Sequence, residues 1–242
     1  MSKAPKWDIL REIDVIVVDI DGTITDDKGF IDPQAIIKIR ELERNGVMVS
    51  LASGNALPVT KGLATYIGAS GPVIAESGCV IEMLGEIYVY GDPEETKRAL
   101  EQINRRFYGR IHESWSNLYR HVDIAIRPTV PKHMLEETID TSKIVILDSK
   151  FAYHIHPRGI DKGTAIHKIA ELLNLDEKYI ASIGDSELDI PMLRESGYGV
   201  ALSNSPKELK EIADYITKGS YSAGFIEFAD ILINAKREGL GK

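Results

Sequence analysis

The sequence predicts an α/β protein: a parallel-sheet core interrupted by an inserted α+β block. Three observations carry this. Ile13–Ile20 is an apolar run rich in Val and Ile, broken only by Asp14 and Asp19. Such a run suits a strand buried on both faces of a parallel sheet. Strand-type and helix-type patterns then alternate to about residue 80, as helix-covered parallel sheets require. Finally, the alternation lapses between residues 84 and 153 and returns from Asp161.

Asp32-Pro33 opens a helical pattern in which Ile36, Ile37, Ile39 and Leu42 lie on or near one face, and Asn45-Gly46 stops it. Val47–Ala52 is a second buried-type strand, Leu57–Tyr66 a helix and Pro72–Ala75 a third strand. Val80–Met83 and Glu86–Tyr90 flank Gly85 as a hairpin, and a polar helix runs from Pro93 to Phe107. Residues 118–127 alternate in strand fashion, a short helix follows Pro131, and Lys143–Leu147 and Phe151–Ile155 are further strands. From Asp161 come a helix to Leu173, a strand at Ile180–Ile183, a helix from Glu187, a strand near Gly199–Leu202 and two more helices. The expected division is a core of residues 1–83 and 154–242 and an inserted cap of residues 84–153.

Hydrophobic residues at 43% and charged residues at 27% are ordinary for a soluble globular chain. Asp plus Glu number 37 against 29 Lys plus Arg, a formal charge of −8. An acidic balance argues against nucleic acid or an anionic membrane as the main partner. Cys79 is the only cysteine, so no internal disulfide can form. No signal-type segment and no membrane-length apolar run is present, and a cytoplasmic protein is expected.

The sharpest signal is Asp19-Ile20-Asp21-Gly22-Thr23, at the carboxyl end of the first strand, where open α/β sheets bind ligands. The bland alternative is an ordinary Asp-Gly turn. A calcium loop fails, because Ile24 and Phe30 stand where its glycine and terminal glutamate should be. Phosphoryl transfer has a use for such a pair. Asp19 can attack phosphorus, and Asp21 can protonate the leaving alkoxide and later deprotonate water. Carboxylates beside a phosphate dianion need a divalent cation, and Mg²⁺ suits an all-oxygen site.

Gly184-Asp185-Ser186-Glu187-Leu188-Asp189 follows another buried strand, and Asp185 and Asp189 can close a metal site. Ser186-x-x-Asp189 also reads as a capping box. Ser53-Gly54-Asn55 can offer phosphate a hydroxyl and turn amides, although it is also common turn chemistry. Lys162 opens a helix, against the macrodipole preference, and pairing with a buried anion would explain it. The alternative is an exposed lysine after an Asp161 cap. His154 and His156 share one strand face without a third ligand, which favours packing or surface roles. Gly-x-x-x-x-Gly-Lys-[Ser/Thr] is absent, so this is no P-loop protein.

These stations, in this order, resemble the haloacid dehalogenase superfamily: Asp19-x-Asp21-Gly22-Thr23, Ser53, Lys162, and Gly184-Asp185 with Asp189. The resemblance implies a Rossmann-like core and a larger α/β cap of the Cof-like branch. Within it, length, cap, Ser53-Gly54-Asn55 and Asp161-Lys162-Gly163 are most similar to archaeal phosphoglycolate phosphatases. It implies Asp19 as nucleophile and Asp21 as acid/base. It implies Ser53, Gly54 and Lys162 on phosphate, and Mg²⁺ held by Asp19, the Asp21 carbonyl, Asp185 and Asp189. Leu188 and Ser77 stand where relatives often have Asn.

The expected substrate is 2-phosphoglycolate, with another small phosphorylated acid or sugar phosphate as rival. A phosphotransferase or a non-catalytic phospho-acceptor module fits less well. A receiver-like module needs neither a leaving-group acid such as Asp21 nor a lid. The expected partner is a small phosphorylated metabolite, with no nucleic acid and no membrane, and a homodimer is left open. Specificity should lie in the cap, where Arg127 and Lys132 are candidates for a substrate carboxylate, with a surface role as their alternative.

Overall fold

The computed structural model describes residues 4–240. The chain runs through Trp7–Glu12 (α1), Val15–Asp19 (β1), Pro33–Arg44 (α2), Met48–Ala52 (β2), Leu57–Ile67 (α3), Val73–Ala75 (β3), Val80–Met83 (β4) and Glu86–Val89 (β5). Pro93–Arg106 (α4), Ile124–Ile126 (β6), Lys132–Glu136 (α5), Ile144–Asp148 (β7) and Tyr153–Pro157 (β8) follow. Lys162–Leu173 (α6), Ile180–Gly184 (β9), Ile190–Glu195 (α7), Tyr198–Ala201 (β10), Lys207–Ile212 (α8), Tyr215–Ile216 (β11) and Tyr221–Leu240 (α9) complete it.

The large sheet has the order β11-β10-β9-β1-β2-β3-β4-β5. Its strands are parallel from β11 to β3, and β4 and β5 add an antiparallel hairpin. All of β1 is buried, as its apolar run requires. Ile16 and Val18 pack with α2 and α9 residues such as Ile39 and Phe228, while Val15 and Val17 pack with Ile166 and Met192 on the other face. In register, Asp19 lies beside Ala52, and Val18 beside Ile183. The carboxyl ends of β1, β2 and β9 therefore converge on one edge, the usual ligand crevice of a parallel sheet.

The small sheet, β6-β8-β7, is antiparallel and covered on one face by α4 and α5, where Ile103, Leu135, Ile146 and Ile155 form its own core. The expected cap limits, 84 and 153, fall inside strand pairs. β5 stays in the large sheet, and all of β8 belongs to the small one. Residues 86–89 pair with β4, and residues 153–157 pair with β7.

The strand expected over residues 118–127 shrinks to Ile124–Ile126. Trp115–Tyr119 forms a 3₁₀ turn instead. The amides of His121, Val122 and Asp123 are turned away from any strand ladder and donate to the Glu76 carboxylate at 2.8, 3.0 and 3.1 Å. A buried acceptor in the core has replaced strand pairing as the partner of this segment. No helix among the described residues is long and apolar enough to cross a membrane.

Candidate active site

Asp19 is the last residue of β1 and is buried; its Oδ2 accepts from Thr23 Oγ1 at 3.2 Å. Lys162 is the first residue of α6, where Asp161 caps the helix by accepting from the Gly163 and Thr164 amides. The Lys162 ammonium, 3% exposed, donates to Asp19 Oδ1 at 2.5 Å and to Asp189 Oδ1 at 2.6 Å. The electrostatic oddity of a lysine at a helix start is thus resolved by two buried carboxylates. Burial works against the ammonium, but the charges of Asp189 and Asp19 outweigh it and raise its pKa.

Asp189 Oδ2 accepts from the Asp185 amide at 3.1 Å, the Ser186 amide at 3.0 Å and Ser186 Oγ at 2.9 Å. The capping box read from Ser186 and Asp189 is therefore present, and it presents Asp189 Oδ1 to Lys162. Asp185 differs: its Oδ1 is buried and has no hydrogen-bond partner among the described residues. Ligand atoms of Asp19, Asp185 and Asp189 lie within 4.8 Å of one another. Burial, reinforced by the Asp189 charge, pushes the Asp185 carboxyl up to about 6. Burial, then the same neighbour, raises Asp19 well above the carboxylate range even with Lys162 opposing. Crowded, dehydrated carboxylates with an orphaned oxygen form an all-oxygen donor set that a hard divalent cation would satisfy.

Ser53 follows β2 at the same edge. Its Oγ accepts from the Asn55 amide and from Asn55 Nδ2, each at 3.0 Å, and Asn55 Nδ2 also reaches Asp21 Oδ2 at 3.1 Å. Asn55 thus ties the Ser53 hydroxyl to Asp21. Asp21 is exposed at the cleft, yet the surrounding protein strips enough water from its carboxyl to raise its pKa. The turn Glu76–Gly78 supports this loop. Its residues have φ of 50°, 52° and 109°, a left-handed run that only a constrained site maintains. The Glu76 amide donates to Asn55 O at 2.9 Å and the Ser77 amide to Ser53 O at 3.0 Å. Gly54 lies on the same loop, with its carbonyl accepting from Arg120 Nη1 of the cap at 3.0 Å.

Asp19, Asp21, Ser53, Gly54, Lys162, Asp185 and Asp189 thus share one sheet edge. Thr23, Asn55, Ser186 and Glu76 join them without having been assigned a site role from sequence. The first three lie inside or beside the motifs, which was their available signal. Glu76 had none. Among the cap candidates, Lys132 pairs with Glu136 on α5, the helix that covers the small sheet's own core. Arg127 is exposed just past β6.

The haloacid dehalogenase-like hydrolase family model matches residues 16–123 and 126–228. Phosphoglycolate phosphatase 1 of Saccharolobus solfataricus is 34% identical, across 94% of this chain and 99% of the relative. A phosphoglycolate phosphatase of Methanospirillum hungatei is 36% identical across 88% and 93%. The crystal structure of Thermoplasma acidophilum 0175 superimposes with a TM-score of 0.85 at 28% identity, covering 91% of this chain and 98% of that one. With the family model spanning both halves of the core and the intervening cap, the chain belongs to the haloacid dehalogenase-like hydrolases.

Proposed function

We propose that this hydrolase is a phosphatase that cleaves 2-phosphoglycolate to glycolate and phosphate through an aspartyl-phosphate intermediate. The observation that carries the chemistry is the buried Asp19 carboxylate on Lys162, with Asp21 two residues on at the same sheet edge. The substrate is supported by the phosphoglycolate phosphatases that match nearly the whole chain.

An Asp19 oxygen attacks phosphorus, and the bond from phosphorus to the ester oxygen breaks. Asp21, whose pKa burial raises, gives a proton to the departing alkoxide. The Asp21 carboxylate then takes a proton from water, whose oxygen attacks the aspartyl-phosphate phosphorus and restores Asp19. Lys162 and the Ser53 hydroxyl hold phosphate oxygens. Asp19, Asp185 and the Asp21 carbonyl would hold Mg²⁺, with Asp189 beside them, and the cation would offset the anionic charge of the reactants.

Asp19→Asn tests the mechanism, because an amide cannot serve as the anionic nucleophile. Phosphate release should fall at least about a thousandfold while the circular dichroism stays native. Undiminished turnover in sequence-verified protein would exclude Asp19 as nucleophile. A panel of phosphate esters tests the substrate, with 2-phosphoglycolate expected to show the highest kcat/KM. A sugar phosphate in that place would overturn the substrate assignment and leave the mechanism standing.

A further inference from the structure

His154 and His156 project from β8 toward the core, opposite the face that carries Ile155 into the cap's own core. The two have different surroundings. His156 is fully buried, with Nε2 2.9 Å from Ile160 O and the ring 3.7 Å from Cys79 Sγ, so its contacts are spent on the domain junction. His154 Nδ1 lies 2.8 Å from Asp123 Oδ2, but its Nε2 has no hydrogen bond among the described residues, although the side chain is only 6% exposed. That free edge faces the phosphate loop. A β-carbon built on Gly54 would stand 3.9 Å from His154 Cε1 and Nε2 and 3.3 Å from Ser77 Oγ. Gly54 sits between Ser53 and Asn55, and Asn55 holds Asp21.

Asp123 fixes this arrangement. One of its oxygens takes Arg120 Nη1, the other takes His154, and the same Arg120 nitrogen binds the Gly54 carbonyl. Burial opposes ionisation of Asp123, but His154, His156 and Arg120 outweigh it and hold its pKa far below the carboxylate range. Glu76, on the core side, spends both oxygens on the amides of residues 121–123. What remains without a hydrogen bond among the described residues beside Gly54 is His154 Nε2, Ser77 Oγ and Arg120 Nη2. Arg120 Nη2 is a fixed donor here, and Ser77 Oγ, 3.3 Å from the same β-carbon position, adds a hydroxyl that can donate as well. A carboxylate is acceptor only and fits such a site.

We propose that His154 is the specificity-determining residue of the cap. As an imidazolium whose Nδ1–H is held by Asp123, it donates from Nε2 to the carboxylate of a phosphorylated 2-hydroxy acid, with Asp123 and Arg120 as positioning residues. The assignment rests on the phosphoglycolate reading above, since it needs a substrate carboxylate next to the phosphate ester.

The test compares 2-phosphoglycolate with ethyl phosphate, which lacks the carboxylate, in the wild-type enzyme, His154→Leu and His154→Gln. His154→Leu should lower kcat/KM for phosphoglycolate about 10- to 100-fold, mostly through KM, the scale of a charged hydrogen bond. Ethyl phosphate should change less than about threefold, because the reacting groups are untouched. His154→Gln retains an N–H at a similar reach and should fall between the two. If the leucine variant does not fold, the glutamine variant must still lose more on phosphoglycolate than on ethyl phosphate. Equal losses on both esters, or none on either, would overturn the role of His154 alone. A wild-type enzyme that does not favour phosphoglycolate over ethyl phosphate would overturn the substrate reading and this assignment with it.

Discussion

Gly22 and Asp185 approach so closely that a β-carbon on Gly22 would stand 2.5 Å from Asp185 Oδ2. Gly22 also has φ of +89°. The glycine of the first motif therefore does more than turn the chain: it leaves room for an acid from another strand. Gly22→Ala should cost about 1–2 kcal/mol from backbone strain alone and displace Asp185 as well. Thermal melts should show the first effect, and a raised Mg²⁺ requirement in phosphate release should show the second. A variant with wild-type melting and metal dependence would mean that the contact is not maintained in solution.

In the proposed mechanism, Asp21→Asn keeps the nucleophile and removes the proton donor. The first chemical step should slow most for alkyl esters, whose leaving groups need protonation, and least for aryl phosphates. Burst kinetics on the two ester types would measure this. Equal slowing on both would assign the proton to another group.

Chelation should stop turnover, and added Mg²⁺ should restore it. Asp185 and Asp189 should then separate. Asp185 has an oxygen without a partner among the described residues, so Asp185→Ala should raise the half-saturating Mg²⁺ concentration sharply. Asp189 holds Lys162 and three donors of the 185–186 turn, so Asp189→Ala should also cost stability, on the order of 1–3 kcal/mol. Metal titrations and melts of both variants test the distinction. The reverse ranking would mean that Asp189 is the principal metal contact.

His167 gives a pH dependence outside the cleft. It lies 2.9 Å from Glu177 and 3.0 Å from Glu195, and its pKa is raised above the ordinary 6.5 by the Glu177 hydrogen bond, with burial opposing. A histidine raised on folding stabilises the folded state fully below pH 6.5, and that share is lost as pH rises through the folded value. The Tm difference between wild type and His167→Gln should therefore be largest just below pH 6.5 and shrink toward alkaline pH. A difference that grows with pH would contradict the pairing.

The site was legible in the sequence because each station sits where local pattern speaks: a carboxylate ending an apolar run, a hydroxyl after the next strand, a lysine at a helix start. The parallel sheet then brings them together through register alone, with Asp19 beside Ala52 and Val18 beside Ile183. The cap was harder to read, since its segment 120–123 answers to distant partners. Glu76, more than 40 residues away in sequence, takes the amides that alternation assigned to a strand. His154 and Asp123 face each other across 31 residues with no spacing that marks them as a pair. Lys132 was plausible by type and position, but pairing along its own helix gives it a local partner.

The turn at Glu76–Gly78 touches both sides of the cleft: its amides grip Ser53 and Asn55, and the Glu76 carboxylate grips residues 121–123. Any movement of the cap and any shift of the loop proposed to meet phosphate would therefore run through one short segment. Linkage makes their coupling reciprocal. A phosphate ester that prefers the docked geometry would draw the cap down by the ratio of its two affinities, and weakening the grip of Glu76 on residues 121–123 would loosen the hold on that ligand in the same measure.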